Sequence, residues 1–310
     1  MKCTLCSEKS VALFDGEPYC KRHFIKRFEE KALNTIKRYK LINSKRVAVA
    51  TSGGKDSTSV LYVVKKYMEK FGLGKPIALL IDEGINGYRE RTISDLKRYC
   101  ELENISLKII SFKEEFGFSL DEYLKKVDAK PCTICGILRR YLLNKHSREF
   151  DTIVTGHNLD DESQGFVMNL FNSDIPLMIR QGIISGAVGF KDFTNRVKPF
   201  YFIKEKEILI YSILKGFGLS YNECPYADSA LRTKFKVLLN EYEMNNSGAK
   251  KNAIDLFMKL KEELSGSKNE ILKDFEISSC TVCNEPSSNE ICSACLVRSE
   301  YNNAKKANNK

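Results

Sequence analysis

Eleven cysteines stand in this chain of 310 residues, and the spacing of several of them indicates metal chemistry. Near the N-terminus, Cys3 and Cys6 form a CxxC pair, and thirteen residues later Cys20 and His23 form a CxxH pair. Two such pairs, each on one tight turn, supply three thiolates and one imidazole to a tetrahedral zinc ion. We therefore predict a closed zinc site with a structural role.

A second set of the same kind lies near the other end of the chain. Cys280 and Cys283 form one CxxC pair, and eight residues later Cys292 and Cys295 form another. Four thiolates leave no open coordination position, so this site is also predicted to be a structural zinc site. The two sites would hold terminal segments that are too short to build a hydrophobic core of their own.

Three further cysteines indicate a different chemistry. Cys132 and Cys135 form a CxxC pair at the start of a helical run, and Cys224 lies in a distant loop. A metal held by three protein ligands keeps one position open, which metal-centred catalysis requires. The spacing is equally compatible with a dithiol pair that excludes Cys224, or with a third zinc ion completed by another residue. Cys100 lies on a helical pattern and is predicted to be a buried free thiol.

The segment Ser52-Gly53-Gly54-Lys55-Asp56-Ser57 follows an apolar strand and precedes a helical run. Its glycines let the backbone approach a phosphate, and the hydroxyls and N–H groups at the helix start complete an anion-binding cradle. The GxxxxGK[ST] spacing of a Walker A loop is absent. The segment therefore predicts a phosphate-binding loop of another type.

The elements that must position these residues alternate along the middle of the chain. Short apolar runs predict four strands, which are 46–50, 77–81, 107–111 and 152–155. Amphipathic runs predict helices at 57–71, 88–103, 120–126 and 132–150. This alternation indicates an α/β fold with a parallel sheet covered by helices on both faces. Ligands of such folds bind beyond the carboxyl ends of the strands.

Composition limits the class of protein. The apolar fraction of 43% is ordinary for a globular core, and no run of about 18 apolar residues is present to span a membrane. The first residues lack the pattern of a secretory or transit sequence, so we expect a cytoplasmic protein. In a reducing compartment, an odd number of cysteines indicates metal ligands and thiols rather than disulfides.

The net charge of +10 is concentrated at the N-terminal end, where the first 46 residues hold twelve Lys and Arg against five Asp and Glu. This surplus is compatible with a solvated basic surface and with a polyanion-binding one. Residues 24–46 are predicted to form a basic helix, and further cations at Arg232, Lys234 and Lys236 extend the candidate nucleic-acid surface. The Asn- and Lys-rich tail from residue 299 is predicted to be disordered.

Together these motifs resemble the PP-loop ATP pyrophosphatase superfamily, whose members split ATP between the α and β phosphates. The SGGKDS loop carries the first part of the resemblance. The motif Gly156-His157-Asn158-Leu159-Asp160-Asp161-Glu162 carries the second part. The cysteines 132, 135 and 224 and the two flanking zinc patterns match the TtcA/TtuA family of tRNA thiolation enzymes, in the branch that includes TtuA, archaeal NcsA and the cytosolic thiouridylases. The resemblance covers nearly the whole chain.

The resemblance implies an adenine nucleotide alpha hydrolase-like fold and an ATP site. It implies that the phosphates, with Mg²⁺, are held by Ser52, Gly53, Gly54, Asp56 and Ser57. Ala50 and Ile81 would contact adenine through their backbones, and Gly156 would line the same crevice. Arg139 would steady the α-phosphate, although Arg140 could exchange roles with it or Arg139 could be only a solvated charge. Asp161 would act on ATP, Mg²⁺ or substrate, although Asp160, Asp161 and Glu162 are equally suited to favour a helix N-terminus.

The implied activity is that of a tRNA 2-thiouridine synthase, which adenylates the C2 oxygen of uridine and replaces it with sulfur. Cys132, Cys135 and Cys224 would hold a [4Fe-4S] cluster whose fourth iron carries a hydrosulfide, whereas a competing family mechanism uses a cysteine persulfide without iron. A ubiquitin-like sulfur carrier or free sulfide would donate the sulfur, and a homodimer is expected. The abundance of thermolabile Asn favours the anticodon wobble uridine over the T-loop position. A rival class is a zinc-ribbon RNA-binding scaffold that only binds nucleotide.

These predictions divide the chain into six regions. In order, they are an N-terminal zinc finger (1–26), a basic helix or linker (27–46), a PP-loop catalytic domain (47–216), a helical tRNA-facing region with the third cluster cysteine (217–275), a zinc ribbon (276–298) and the tail (299–310).

Overall fold

Strands and helices alternate along the computed structural model, which describes residues 1–185, 194–220, 222–227, 231–263 and 278–307. The strands are β1 (Ala12–Phe14), β2 (Glu17–Tyr19), β3 (Val47–Thr51), β4 (Ile77–Asp82), β5 (Ser106–Ser111), β6 (Thr152–Val154), β7 (Ile184–Ser185), β8 (Asn195–Val197), β9 (Ser278–Ser279) and β10 (Pro286–Ser287). The helices are α1 (Lys21–Arg38), α2 (Lys55–Lys70), α3 (Arg89–Glu103), α4 (Phe112–Phe116), α5 (Leu120–Leu124), α6 (Pro131–Ser147), α7 (Leu159–Phe171), α8 (Ile175–Arg180), α9 (Glu205–Lys215), α10 (Leu231–Asn245), α11 (Ala249–Glu263) and α12 (Ser293–Ala307).

The central sheet has the strand order β5-β4-β3-β6-β8-β7. All its neighbouring pairs are parallel except β7 and β8, which are antiparallel. The four predicted strands are confirmed as β3, β4, β5 and β6. The order reverses at β3, because the chain adds β4 and β5 on one side and returns to add β6 on the other. The crevice beyond the carboxyl end of β3 is therefore the expected ligand site.

Both faces of the sheet are buried, which explains why its strands are continuous apolar runs. Alternate residues of a strand point to opposite faces, and here they enter two separate clusters. Val47 and Val49 pack with residues of α1, α2, α7, α9 and α11, whereas Ala48 and Leu79 pack with residues of α4, α5, α6 and α12. This arrangement confirms the predicted α/β fold with helices on both faces.

The basic helix α1 is part of the first cluster. Phe24, Phe28, Ala32 and Ile36 recur every four residues and are fully buried, so one stripe of the helix faces the core. The ring of Phe28 stacks on Tyr211 of α9 at 3.9 Å between centroids. Burying each large apolar side chain contributes about 2 kcal/mol relative to exposure. The charged residues of α1 consequently lie on the outer face.

The prediction that this helix extends to residue 46 is wrong. The N–H of Leu41 donates to the carbonyl of Ile36, and Lys40 adopts a left-handed conformation with φ of 50°. This combination ends a helix. Leu41 and Ile42 then turn into the core, where both are buried.

The prediction of a disordered tail from residue 299 is wrong for the residues up to Ala307, which lie in α12. Tyr301 is buried against the ring of Phe118, and Glu300 accepts a hydrogen bond of 2.6 Å from the hydroxyl of Tyr123. The buried ring of Tyr301 and the hydrogen bond of Glu300 hold this segment against the fold, which its polar composition did not indicate. Residues 308–310 lie outside the described part of the chain. No helix among the described residues combines the length and apolarity needed to cross a bilayer.

Candidate functional site

The phosphate-binding loop connects β3 to α2 through Ser52, Gly53 and Gly54. Gly53 has φ of 81°, and a Cβ added there would lie 2.7 Å from the carbonyl oxygen of Thr92. Glycine is therefore required at this position for both its conformation and its lack of a side chain. This turn directs the backbone N–H groups at the start of α2 toward the end of the sheet.

Two hydroxyl groups hold the loop in this shape. The Oγ of Ser57 accepts from the N–H of Ser52 at 3.1 Å and donates to the carbonyl of Gly54 at 3.1 Å. The Oγ of Ser52 lies 3.3 Å from that of Ser57 and accepts from the N–H of Gly54. No side chain caps the N-terminus of α2. Its first N–H groups consequently suit an anion.

Asp56 lies inside this site. Its carboxylate accepts hydrogen bonds from Lys55 at 2.9 Å and from the side-chain amide of Asn158 at 3.3 Å. Burial raises the pKa of Asp56, although the charge of Lys55 opposes the shift. Lys55 also contacts Glu205 at 3.0 Å, so the loop is tied to the start of α9.

Gly156 meets the loop from the neighbouring strand. A Cβ at this position would lie 2.9 Å from the carbonyl carbon of Asp56, so the GHN segment and α2 pack in direct contact. Ala50, Ser52 and Ile81 line a crevice of about 380 Å³ beside this contact. The predicted phosphate and adenine residues are thus brought together at the carboxyl ends of β3 and β4.

Two of the central cysteines lie beside this crevice, on a helix whose Gly136 and Arg139 line it. Pro131 starts α6, and Cys132 and Cys135 are among its first five residues. Cys224 packs against the same apolar cluster as Cys135, and burial raises the pKa of the Cys135 thiol, which is about 11. The thiol of Cys132 donates to the carbonyl of Tyr226 at 3.4 Å. The fold therefore assembles the three predicted cysteines from two separate segments.

A buried ion network connects the cysteines to the phosphate loop. Arg89 donates to Glu83 through Nε at 2.6 Å and through a second guanidinium nitrogen, and to the carbonyl of Ser52 at 2.8 Å. Glu83 is 1% exposed. The carboxylate oxygen that does not accept from Arg89 lies 3.7 Å from the guanidinium of Arg139. Arg139 is in turn close enough to Cys135 to lower its pKa against the effect of burial. Both Glu83 and Arg139 line the crevice.

Sequence reasoning missed Glu83 and Arg89. A signal for Glu83 was present, because it follows β4 directly at the edge of the sheet where ligands bind. Arg89 had none, since a single arginine at the start of an amphipathic helix is common. Arg139, 47% exposed, and its neighbour Arg140 both line the crevice, and it is Arg139 that approaches Glu83.

The acidic residues after the GHN segment have separate contacts. Asp161 forms a capping box with Asn158 at the start of α7, and its carboxylate also lies 3.1 Å from Arg232. Asp160 is buried, pairs with Lys250 and accepts from the N–H of Glu205 at 2.7 Å. Asp160 therefore joins three helices, whereas the carboxylate of Asp161 remains 30% exposed beside the crevice. Glu162 is also buried and pairs with Lys198 at 2.8 Å.

The N-terminal metal ligands converge as predicted. Cys3, Cys6, Cys20 and His23 bring their ligand atoms within 4.8 Å of one another. The Sγ atoms of Cys6 and Cys20 are 3.8 Å apart, and the Nδ1 of His23 is 3.3 Å from the Sγ of Cys3. Thiolates arranged tetrahedrally around zinc lie about 3.8 Å apart, so these donors fit that ion.

The C-terminal ligands form a second set of this kind, which consists of Cys280, Cys283, Cys292 and Cys295. The Sγ atoms of Cys283 and Cys292 are 3.7 Å apart. Among the described residues, Cys132, Cys135 and Cys224 do not form a set with ligand atoms this close together. Cys100 is buried in α3 and away from these groups, as predicted for a structural thiol.

Many cations of the predicted tRNA surface have acidic partners. In α1, Lys26 and Arg27 lie 3.9 and 3.8 Å from Glu30, and Lys31 pairs with Asp15 at 2.6 Å. On α10, Arg232 pairs with Asp161 and Lys236 with Glu205. These pairs reduce the positive potential of both helices without cancelling it, because most of the side chains remain partly exposed.

The sequence matches the PP-loop domain family over residues 24–223. The chain is 36% identical over 301 residues to tRNA-5-methyluridine(54) 2-sulfurtransferase of Pyrococcus horikoshii, with 95% of this chain and 93% of that protein covered. It is 33% identical over 308 residues to cytoplasmic tRNA 2-thiolation protein 1 of Xenopus laevis, with 96% and 87% covered. Among solved structures, the U34-tRNA thiolase NcsA of Methanococcus maripaludis with its [4Fe-4S] cluster matches with a TM-score of 0.79, at 31% identity and with 96% and 95% covered.

The strand order, the loop after β3 and the family match together define a PP-loop protein. The similarity to the three relatives defines a narrower class, because each comparison covers at least 95% of the chain and so extends beyond the PP-loop domain at residues 24–223. The chain belongs to the family of PP-loop tRNA 2-thiolation enzymes. The predicted family is therefore confirmed.

Proposed function

We propose that this protein is an ATP-dependent tRNA 2-thiouridine synthase. The observation that carries the proposal is a single crevice with Ser52 of the phosphate loop on one wall and, on the other, Gly136 and Arg139 of the helix that carries Cys132 and Cys135. Glu83 and Arg89 join the two walls through one buried network. A reaction that activates a base with ATP and then adds sulfur needs both walls within reach of the same atom.

In the first step, the C2 oxygen of the uridine attacks the α-phosphate of ATP. An O–P bond forms, the bond between the α and β phosphates breaks, and diphosphate leaves. Ser52, Gly53, Gly54, Asp56 and Ser57 hold the phosphates with Mg²⁺, and the backbones of Ala50 and Ile81 contact adenine. Gly156 allows the close approach of the two backbones, and Arg139 stabilises the charge that develops at the α-phosphate.

In the second step, sulfur adds to C2 and the oxygen departs with AMP. The sequence motifs and the three central thiols fit a [4Fe-4S] cluster, which when bound would supply the sulfur-carrying centre. Cys132, Cys135 and Cys224 would hold that group beside the crevice. The partly exposed carboxylate of Asp161 acts on ATP, Mg²⁺ or substrate, while its other contacts orient the start of α7.

The remaining assignments complete the proposal. Zn²⁺ fills both terminal sites, whose donor spacing supports it. The wobble uridine is the target, which the abundance of thermolabile Asn favours. The relatives include proteins named for each position, NcsA for U34 and the Pyrococcus protein for position 54. A thiocarboxylate carrier protein or free sulfide donates the sulfur to a homodimeric enzyme. The names of the eukaryotic relatives support a cytoplasmic location.

The test is reconstitution. The anaerobically purified protein, with its metals, is incubated with unmodified tRNA, ATP, Mg²⁺ and sulfide, and nucleosides are analysed by mass spectrometry after digestion into mapped fragments. We expect 2-thiouridine at one position, with AMP and diphosphate formed only when tRNA is present. Tight tRNA binding without AMP formation or thiouridine would identify the rival scaffold class instead. Thiolation at position 54 would overturn the wobble assignment alone.

A matched control is available within the chain. Cys100 is buried in α3, outside all three cysteine groups, so Cys100→Ala should keep full activity. Full thiolation by an iron-free protein that lacks Cys132, Cys135 and Cys224 would contradict the assigned role of these cysteines. Absorption in the visible range that is bleached by oxygen supports the cluster over a persulfide.

A further inference from the structure

Two arginines stand in the wall between the crevice and a neighbouring groove. Arg140 of α6 and Arg196 of β8 line both cavities. The guanidinium of Arg140 folds back over the start of α6, 3.6 Å from the position that a Cβ of Gly136 would occupy. The pair is thus beside the first turn of α6, which carries two of the central cysteines.

The charge of this pair is not neutralised by the described part of the protein. Arg196 donates to the amide oxygen of Asn144, which is uncharged, and no carboxylate of a described residue lies within 4.0 Å of either guanidinium. Burial lowers the pKa of Arg196, and the charge of Arg140 lowers it further. Two cations that repel each other in a partly buried position favour an anion between them.

The groove continues from this pair toward the C-terminal metal site. It has a volume of about 440 Å³ and runs between α6, α8 and the ribbon formed by residues 278–307. Asn144, Ser287 and Asn289 add polar side chains. No Asp or Glu is among the described residues that line it. The groove is therefore a continuous path with positive potential.

We propose that the Arg140–Arg196 pair binds a phosphodiester of the RNA strand that enters the crevice, and that the C-terminal ribbon forms the opposite wall of the strand's path. This proposal rests on the proposed function. Arginine binds phosphate through two parallel N–H bonds and so fixes both position and orientation. A strand fixed at this point would place a nearby base between the cysteines and the phosphate loop.

The position of the groove favours RNA over the phosphates of ATP. The loop that follows β3 has its own backbone donors, and none of its residues lines the groove. That loop can hold the phosphates of ATP, whereas an RNA strand is positioned by contacts to phosphates beyond the reacting base. The surface that the sequence indicated for tRNA, on α1, would then hold a more distant part of the same molecule.

The test compares two variants of the metal-loaded full-length protein that each remove two positive charges. Arg140→Gln/Arg196→Gln changes the pair, whereas Lys70→Gln/Lys75→Gln changes exposed charges at the opposite edge of the sheet. We expect the first variant to bind tRNA about tenfold more weakly and to reduce the slope of log K against log salt by about 1. The lysine variant should keep the wild-type slope, and both should keep the wild-type affinity for ATP.

Protection of the wild-type protein gives the second measurement, which does not depend on how the variants fold. Arginines are modified with phenylglyoxal in the presence of tRNA, ATP or diphosphate, and the modified peptides are quantified by mass spectrometry. Protection of Arg140 and Arg196 by tRNA alone supports the proposal. Protection by ATP or diphosphate instead, or no protection by tRNA, overturns it. Protection by tRNA in a protein that forms no thiouridine would refute the proposed function while the RNA site stands.

Discussion

The terminal cysteine groups and the central group use the same residue type in opposite ways. At each end of the chain, four ligand atoms lie within 4.8 Å of one another, away from the crevice. In the centre, three thiols come from two segments and lie beside the crevice, with Cys132 exposed. The difference leads us to expect that ligand number and position, rather than cysteine content, separate a structural metal site from a reactive one.

The electrostatic surroundings follow the same division. The thiols of the terminal sites accept hydrogen bonds from backbone groups of the same site, such as the N–H of Cys292 to the Sγ of Cys280 at 3.2 Å and the N–H of Cys295 to the Sγ of Cys292 at 3.4 Å. The central site is coupled to a buried network that reaches the phosphate loop through Glu83 and Arg89. Changes at the ends should therefore act on stability, and changes in the centre on chemistry.

The largest effect is expected when a central cysteine is removed. Cys135→Ala should lower thiolation by on the order of 10³-fold or more, as when a residue that carries the reacting group is lost. Affinity for ATP should stay within about threefold, because the phosphate loop is on the other wall. Thiouridine yield and ATP titration measure the two effects. Equal loss of ATP binding would show that the two walls are not separable.

A terminal cysteine of similar burial gives the opposite pattern. Cys283→Ala removes one ligand of the C-terminal site. Loss of a structural metal should cost about 4 kcal/mol of stability. For a chain of this size, that lowers Tm by roughly 5–10 °C. Thermal melts and zinc content are measured for Cys283→Ala and Cys135→Ala together. The comparison fails if Cys135→Ala lowers Tm as much as Cys283→Ala.

Two variants of the buried network should separate an effect on stability from an effect on catalysis. Glu83→Gln leaves the buried guanidinium of Arg89 without its charged partner and should cost about 3 kcal/mol of stability. Arg139→Gln changes a half-exposed side chain and should leave stability within about 0.5 kcal/mol while lowering kcat. Denaturant unfolding and single-turnover AMP formation distinguish them. If Glu83→Gln is as stable and as active as the wild-type protein, the network has no role in the site.

The smallest effect concerns the shape of the phosphate loop. Gly53→Ala should cost about 1–2 kcal/mol and weaken ATP binding about tenfold, because the left-handed conformation and the contact with Thr92 both oppose a side chain. Gly74→Ala is the control, since Gly74 has φ of 83° but no atom within 4 Å of its added Cβ. It should show a similar conformational cost and unchanged ATP affinity. Unaltered affinity in Gly53→Ala would mean that the loop does not hold the nucleotide.

The sequence was sufficient to predict the features that depend on local spacing. The two terminal ligand sets and the four central strands follow from CxxC or CxxH pairs and apolar runs, and the structure shows that each ligand set converges and that the strands form. Strands β7 and β8 were missed because Ile184–Ser185 and Asn195–Val197 are too short to show periodicity, and tertiary pairing alone defines them. Glu83 and Arg89 acquire their role from contacts with distant segments, so spacing cannot reveal it.

The packing of α12 has a consequence for the order in which the protein matures during synthesis. Tyr301 and Val297 of α12 share one apolar cluster with Leu138 and Leu142 of α6, and Arg148 pairs with Glu285 of the ribbon at 2.7 Å. The ribosome makes α12 about 145 residues after the end of α6. The helix that carries two of the central cysteines therefore cannot complete its packing before synthesis has passed through α12.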